Sequence, residues 1–255
     1  MLFDSHAHYN DERFSNDLDA VLSLMQDNNV GLIMNACSSV DEIPKIIEIC
    51  EKYPFVYGSV GVHPHEVEGM TNEDIDTLKK YSKHEKIKAI GEIGLDYFYD
   101  NSPRDVQKKW FANQVELACE LGMPVIIHDR DAHEDTMDIL QACNVKKCGG
   151  VFHCYSGSVE MVKKVLDMGL YVAFGGSLTF KKSVRPKEVV SYVPIDRILT
   201  ETDCPYLTPE PFRGKRNTSL YMHLVADEIA RIKGLDIKEV EEITFNNAKK
   251  CFMID

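Results

Sequence analysis

The stretch Phe3-Asp4-Ser5-His6-Ala7-His8 opens a pattern that recurs along the whole chain and predicts the fold. As a β-strand it places alternate side chains on the same side, so His6 and His8 point together. Two imidazoles that converge in this way are a candidate pair of metal ligands. Taken alone, the spacing is equally typical of two surface histidines, so the rest of the chain must decide.

The same unit returns eight times: a short apolar run, a polar residue at its end, then an amphipathic helical pattern. The predicted strands cover residues 2–8, 31–37, 56–63, 87–95, 124–128, 150–153, 170–174 and 197–202. Strands that alternate with helices predict right-handed crossovers and a parallel sheet. Eight repeats in 255 residues predict a closed TIM (β/α)₈ barrel, with residues 1–255 forming a single domain. An open doubly wound sheet is the alternative, but no Gly-x-Gly-x-x-Gly turn supports it.

Composition limits the class of protein. The chain is 44% hydrophobic and 27% charged, as is typical of globular proteins, and its eight cysteines show no Cys-x-x-Cys pairing, which favours reduced thiols. No apolar run of about 18 residues and no basic leader is present, so we expect a cytoplasmic protein without a membrane span. A net charge of -12 argues against broad coating of duplex nucleic acid, although it leaves room for a local site. Nothing in the sequence implies an obligate protein partner.

Titratable residues occupy most of the predicted strand ends, which is where TIM barrels place their catalytic groups. They are His6 and His8 on the first strand, His63 and His65 after the third, Glu92 on the fourth, His128 on the fifth, His153 on the sixth and Asp203 after the eighth. For any one of them, a buried histidine with a partner or a structural ion pair is the commoner explanation. For all of them together that explanation is weak, because several polar groups would have to be buried at one end of one barrel.

Histidines mixed with carboxylates, and no thiolate quartet, indicate a catalytic site for divalent ions rather than a structural zinc site. Four histidines in two pairs suit two ions, and a carboxylate with two oxygens can bridge them. Glu92 is the residue we predict for that bridge. Ions in such a site generate hydroxide from water near neutral pH and offset the charge of an oxyanion.

The motifs around these residues resemble, nearly end to end, those of the TatD family of metal-dependent deoxyribonucleases in the amidohydrolase-like superfamily. The matching stretches are FDSHAH (3–8), GVHPH (61–65), AIGEIGLDY (89–97), PVIIHDR (124–130), VFHCYSG (151–157), ETDCPYL (201–207) and RGKRN (213–217). The resemblance implies that one metal ion is held by His6, His8 and Asp203, that a second is held by His128 and His153, and that Glu92 touches both. It also implies that His63 faces the substrate phosphate and that the reaction starts from a 3′ end of single-stranded DNA.

Basic and aromatic residues near the same strand ends are candidates for substrate contact. The run Arg213-Gly214-Lys215-Arg216 predicts phosphate binding, because guanidinium forks pair with phosphate oxygens and glycine allows close backbone approach. We include His65 in this predicted substrate-binding set. The candidates for base stacking are Tyr97, Phe98, Tyr99 and Phe180, for which packing in the core is the equally weighted alternative.

One motif departs from the family pattern. A proline usually stands two residues after the final Arg-Asn, where this chain has Asn217-Thr218-Ser219, and the missing ring predicts a looser loop after the last strand.

The leading hypothesis is a deoxyribonuclease that hydrolyses phosphodiester bonds with two divalent metal ions (zinc, magnesium or manganese) and takes single-stranded DNA ends as its substrate. Glu92, Asp203 and His63 are its predicted catalytic residues. The alternative is a metal-dependent hydrolase of a small amide, ester or lactone on the same barrel. A third hypothesis, of another class, is a non-enzymatic metal-containing partner protein, which predicts a site with no open coordination position.

Overall fold

Eight parallel strands form the centre of the molecule in the order in which they occur along the chain. The structure is a computed structural model that describes residues 1–255. The strands are β1 (Leu2–Ala7), β2 (Val30–Asn35), β3 (Val56–Val60), β4 (Ile87–Asp96), β5 (Val125–Arg130), β6 (Gly150–Phe152), β7 (Tyr171–Phe174) and β8 (Ile198–Thr200). One parallel bridge between Ala7 and Cys204 joins the end of β1 to the segment after β8. The predicted TIM barrel is therefore confirmed, with all eight predicted strands in place.

Helices between the strands cover the outside of the barrel. They are α1 (Leu18–Ser23), α2 (Ile43–Lys52), α3 (Asn72–Tyr81), α4 (Arg104–Leu121), α5 (His133–Ala142), α6 (Val159–Asp167), α7 (Val184–Tyr192), α8 (Met222–Lys233) and α9 (Ile237–Cys251). Their apolar faces pack on the sheet, as shown by the buried Val162 and Val165 of α6. No helix is both long enough and apolar enough to cross a membrane.

The core has two layers because neighbouring residues of each strand point to opposite sides. Val125 and Ile127 of β5 belong to the large cluster between strands and helices, whereas Ile126 belongs to a small cluster inside the barrel. We call this inner cluster the barrel floor; its buried members are Phe3, Met34, Ala89, Ile126, Val151, Ala173, Leu199, Ala248, Cys251, Phe252 and Ile254. The last four come from α9 and the residues after it, so the end of the chain closes the barrel from below.

The cysteines lie in the core or at its edge, and all eight are unbonded thiols. Burial raises the pKa of Cys37 and of Cys50 to about 12, so both are protonated at neutral pH. The Sγ atoms of Cys119 and Cys148 lie 3.3 Å apart on the outer layer. No cysteine belongs to a group of side chains that could hold a metal ion.

The seam between the first and last strands is held by hydrogen bonds rather than by a continuous ladder. The Asp203 N–H donates to the His6 carbonyl at 2.9 Å, and the His8 N–H donates to the Cys204 carbonyl at 2.8 Å. The buried Asp4 carboxylate accepts from the Thr202 hydroxyl at 2.6 Å and from its N–H at 2.9 Å. Asp4 on β1 therefore ties the segment after β8 to the start of the chain.

The loop after β8 is held tightly despite the missing proline. The Ser219 hydroxyl donates to Asp4 Oδ2 at 2.6 Å, and the Ser219 N–H donates to the Tyr9 hydroxyl at 3.0 Å. Proline could make neither hydrogen bond. Buried hydrogen bonds from Ser219 therefore anchor the loop at the position where the family pattern has proline.

Candidate metal centre

Six of the chain's nine histidines converge at the C-terminal end of the barrel, around a cavity of 520 Å³. His8, His63, His65, His128 and His153 line the cavity, and His6 lies beneath it, fully buried. Glu92 and Asp203 line the same cavity. The structure thus brings together all eight strand-end residues predicted from the sequence, while their binding of metal stays a prediction.

The first group of candidate ligands consists of His6, His8 and Asp203. The Nε2 atoms of the two histidines are 3.0 Å apart, and His8 Nε2 is 3.4 Å from Asp203 Oδ1. Asp203 has a φ of 56°, in the left-handed region that aspartate tolerates better than most residues. Its N–H bond to His6 across the seam holds it in that conformation.

The second group surrounds Glu92, whose two oxygens face different partners. Glu92 Oε1 lies 2.8 Å from His128 Nδ1 and 2.9 Å from His153 Nε2. Glu92 Oε2 lies 3.2 Å from His6 Nε2, on the side of the first group. This carboxylate is therefore placed between the two groups, as the bridge predicted from the sequence requires.

Close approach of β4 and β5 puts Glu92 beside His128, and a glycine permits it. Gly94 pairs with His128 in the sheet and has a φ of 154°. A Cβ at Gly94 would lie 1.9 Å from the His128 carbonyl oxygen, a distance no side chain could accommodate. The second glycine of the GEIGLD motif is therefore a structural requirement of the site.

Electrostatics keep Glu92 ionised although it is buried. Burial alone would raise its pKa, but the charges of His153 and His6 and the hydrogen bond from His128 hold the pKa of this carboxyl well below its usual range. Arg130 is the only lysine or arginine that lines the cavity, whereas six carboxylates line it, namely Asp11, Glu42, Glu66, Glu92, Asp96 and Asp203. The cavity therefore suits cations.

The donor atoms also fit a divalent ion by their spacing. Ligand atoms that share one tetrahedral ion lie about 3.3 Å apart, since each bond is about 2.0–2.1 Å long. The distances within the first group run from 3.0 Å (His6 to His8) to 3.7 Å (His6 to Asp203), and His128 Nδ1 lies 3.3 Å from His153 Nε2. Imidazole nitrogens and carboxylate oxygens at these distances are a suitable ligand set for two ions.

Two buried carboxylates that were not predicted from the sequence lie beside these histidines, and Asp96 orients two of them. Asp96 Oδ2 lies 2.9 Å from His65 Nε2 and 3.1 Å from His128 Nε2. Glu201 Oε1 accepts from the Cys154 N–H at 2.7 Å and lies 3.7 Å from Nδ1 of His153, too far for a hydrogen bond. With His6 and His153 it forms another group of side chains that could hold a metal ion. Carboxylates behind ligating histidines fix the ring orientation and raise the basicity of the ligand nitrogen. Both residues follow apolar strand segments, so the rule that found the other residues could have found them.

His63 presents a hydrogen-bond donor to the cavity. The His65 N–H donates to His63 Nδ1 at 3.2 Å, which leaves the proton of a neutral ring on Nε2, the atom that lies 3.5 Å from Glu92 Oε1. Burial lowers the pKa of His63 to about 4, so the ring is neutral at neutral pH. His63 can therefore donate to an anionic oxygen in the cavity.

The three basic residues predicted to contact substrate do not line the cavity. The Arg216 guanidinium binds both oxygens of Asp17, at 2.8 and 2.6 Å. Arg213 lies over the ring of Phe180 at 4.3 Å. Asp17, the residue before α1, therefore pairs with Arg216, and the phosphate contact of Arg216 stays a prediction.

Comparison with known proteins relates the whole chain to one family. The family model described as TatD related DNase matches residues 3–253. The uncharacterized metal-dependent hydrolase YabD of Bacillus subtilis (strain 168) is 46% identical over 255 residues, with 100% of both chains covered. The 3′-5′ ssDNA/RNA exonuclease TatD of Salmonella typhimurium is 27% identical, with 99% of each chain covered. The crystal structure of YJJV, a TatD homologue from Escherichia coli K12, matches with a TM-score of 0.93 at 25% identity, covering 100% of this chain and 98% of that one.

Proposed function

Because the chain belongs to the TatD related DNase family and is a metal-dependent hydrolase, we propose that it hydrolyses DNA phosphodiester bonds with two divalent ions, from the 3′ ends of single strands. The observation that carries the proposal is the placement of Glu92, whose two oxygens face two separate groups of histidines. The name of the Salmonella relative, a 3′-5′ ssDNA/RNA exonuclease, supports the substrate and the polarity.

The residues that would hold the ions are those of the two groups. His6, His8 and Asp203, whose ligand atoms lie close together, would hold one ion. His128 and His153 would hold the other, and Glu92 both. Zinc, magnesium and manganese are the candidate ions. When bound, such ions supply Lewis acidity, which lowers the pKa of a water towards about 7 and offsets charge on a phosphate.

Asp203 is the residue that we assign to orient the attacking water and take its proton. Burial alone would raise the pKa of Asp203, but the hydrogen bond from His8 and the charges of neighbouring histidines lower it. The carboxylate is therefore ionised and able to accept a proton. It lines the cavity, where a water can reach it.

His63 would bind the phosphate that is attacked. Its Nε2–H points towards Glu92 Oε1 at 3.5 Å, and an anionic phosphate oxygen entering the cavity would accept from the same atom. His65, held by Asp96, packs edge to face against His63 with ring centroids 4.3 Å apart. We propose that His65 supports this donor, and that Arg213 and Lys215 contact more distant phosphates from outside the cavity.

The test uses metal-free protein, 5′-labelled single-stranded and duplex DNA and RNA, and each ion added back in turn. We expect a ladder of products shortened from the 3′ end, fastest on single strands, and two ions bound per chain by elemental analysis. Glu92→Gln should lower hydrolysis by about 10³-fold and reduce the bound ions, because it removes the charge between the two groups. Glu160→Gln, which changes a carboxylate in the first turn of α6, is the matched control and should behave as wild type.

Two outcomes of this test would contradict the proposal. Hydrolysis of an amide, ester or lactone without cleavage of any nucleic acid would favour the small-molecule alternative. In that case neutralising Arg213 and Lys215 would leave activity unchanged, whereas a nuclease should lose activity on DNA. A protein that binds ions and hydrolyses none of these substrates would favour the non-enzymatic hypothesis.

A further inference from the structure

The exposed aromatic side chains of this protein are concentrated at the mouth of the cavity. Only four aromatic residues are exposed, namely Phe98, Tyr99, Tyr192 and Tyr206, with exposures between 47 and 57%. Three of the four follow β4 or β8 at the catalytic end, and Tyr99 and Tyr206 line the cavity itself. Exposed aromatics gathered at one site indicate recognition of a flat ligand rather than packing.

A guanidinium lies against the first pair of rings. Phe98 and Tyr99 stand perpendicular to each other, with centroids 5.0 Å apart, and the Arg130 guanidinium carbon is 4.1 Å from the centroid of Phe98 and 4.6 Å from that of Tyr99. Arg130 forms no ion pair with any carboxylate and is the one basic residue that lines the cavity. Its charge is therefore available to an anion beside the metal centre.

The opposite side of the mouth has the same types of residue but no free charge. Arg13 lies 4.1 Å from the centroid of Tyr206, yet its guanidinium binds both oxygens of Asp11, at 2.9 and 2.7 Å. Asp11 lines the cavity, so this side offers a phosphate no uncompensated positive charge. A polyanionic strand would be drawn to the Arg130 side instead.

The Arg130 side also lies next to the residues that would bind the attacked phosphate. Tyr99 packs edge to face against His65, with centroids 5.4 Å apart, and His65 packs in turn against His63. The N–H groups of Phe98 and Tyr99 donate to Asp96 Oδ1 at 3.0 and 2.9 Å, so the carboxylate that orients His128 also fixes the aromatic turn. The aromatic pair is therefore held at a fixed position beside the candidate metal centre.

We propose that Phe98, Tyr99 and Arg130 form a subsite for the nucleotide next to the attacked phosphate, an inference that rests on the proposed function. A nucleobase stacks on the aromatic pair while Arg130 binds a phosphate oxygen of the same strand. Stacking tolerates every base because each has a π face, and it selects single strands because the bases of a duplex already stack on one another. The cavity thereby recognises an unpaired end without reading its sequence.

The first test compares Phe98→Ala and Arg130→Gln with Tyr192→Ala, the matched control for an exposed aromatic outside the cavity. On a single-stranded oligonucleotide we expect Phe98→Ala to raise KM by about 5- to 100-fold, the range of a lost stacking interaction, with kcat changed less than 3-fold. Arg130→Gln should raise KM and reduce its dependence on salt. Tyr192→Ala should match wild type; equal effects of Phe98→Ala and Tyr192→Ala would overturn the subsite.

The second test removes the base instead of the side chain. Oligonucleotides with one abasic residue at the first, second or third position from the 3′ end are hydrolysed by wild type and by Phe98→Ala. We expect wild type to lose activity at one position only and Phe98→Ala to lose nothing further there, because the two changes remove the same contact. If the abasic residue lowers the activity of both proteins equally, the subsite is wrong although the nuclease proposal stands. If wild type cleaves no nucleic acid, both the proposed function and the subsite are wrong.

Discussion

The two ends of the barrel use the same eight strands for opposite purposes. At the floor, Phe3 and Leu199 are fully buried among apolar neighbours and are covered by the segment that ends in Phe252. At the mouth, a few residues further along the same two strand units, Asp203 lines the cavity and His6 lies buried directly beneath it. The floor contributes apolar packing to the fold, whereas the mouth carries the charged side chains of the candidate site.

This difference indicates where each kind of substitution should act. Loss of a floor side chain leaves a void and should lower stability without changing the chemistry. Loss of a mouth side chain disturbs charges that are already costly to bury, so it should change activity more than stability. Three predictions test this division, in order of decreasing effect.

The largest effect on stability is expected at the floor. Phe252→Ala should lower the free energy of unfolding by about 3–5 kcal/mol, because the ring is fully buried and packs on Phe3 with centroids 5.8 Å apart. Urea unfolding measures it, and KM for substrate should be unchanged. Met253→Ala, at the exposed neighbouring residue, is the control. A loss below about 1 kcal/mol would show that the floor collapses around the void.

A smaller effect, on activity rather than on stability, is expected at Asp96. Asp96→Asn should lower kcat and metal affinity by about 10- to 100-fold, because the carboxylate orients His65 and His128. Activity and metal titrations are the measurements, with Asp100→Asn as control, since Asp100 is an exposed carboxylate four residues further along the chain. Values within 2-fold of wild type would remove Asp96 from the functional site.

The smallest effect is expected at the rim and should depend on pH. The hydrogen bond from Arg13 lowers the pKa of Asp11 to about 2. A carboxyl whose pKa is lower in the folded than in the unfolded chain stabilises the fold above the unfolded value of about 4, and this contribution is lost as the pH falls towards 2. Because the pair is near the surface, Asp11→Asn should cost about 1 kcal/mol or less at pH 7.

Unfolding of wild type and Asp11→Asn at pH 7, 5 and 3 provides the measurement. The difference in free energy of unfolding between the two proteins should shrink at pH 3. The free energy lost in Phe252→Ala should be the same at each pH, because that substitution removes no charge. If the free energy of unfolding differs between wild type and Asp11→Asn by the same amount at every pH, Asp11 acts through packing rather than through its ion pair.

Much of the fold and of the metal centre could be predicted from the sequence because both follow local rules. Strand periodicity predicted all eight strands, and a polar residue in an otherwise apolar strand was enough to place Glu92 and His128 at the candidate site. The fourth strand extends one residue further than predicted, to Asp96, and that residue was missed.

The partners of charged side chains could not be predicted in this way. Arg216 follows β8, while the carboxylate that binds it, Asp17, precedes α1. Arg130 pairs with no carboxylate and packs on Phe98 instead. Both outcomes depend on which segments the closed barrel brings side by side, and nothing in the local sequence encodes that choice. The charge run after β8 therefore identifies basic residues but not the side chains with which they pair.

The seam between β1 and β8 has a consequence for synthesis of the protein. His6 and His8 are made first, but the third member of their group, Asp203, lies after the last strand, and its backbone N–H donates to the His6 carbonyl. A growing or truncated chain that ends before Asp203 carries both histidine pairs and Glu92, yet lacks the group assigned to take the proton. Translation must therefore pass the last strand and reach Asp203 before the proposed site is complete.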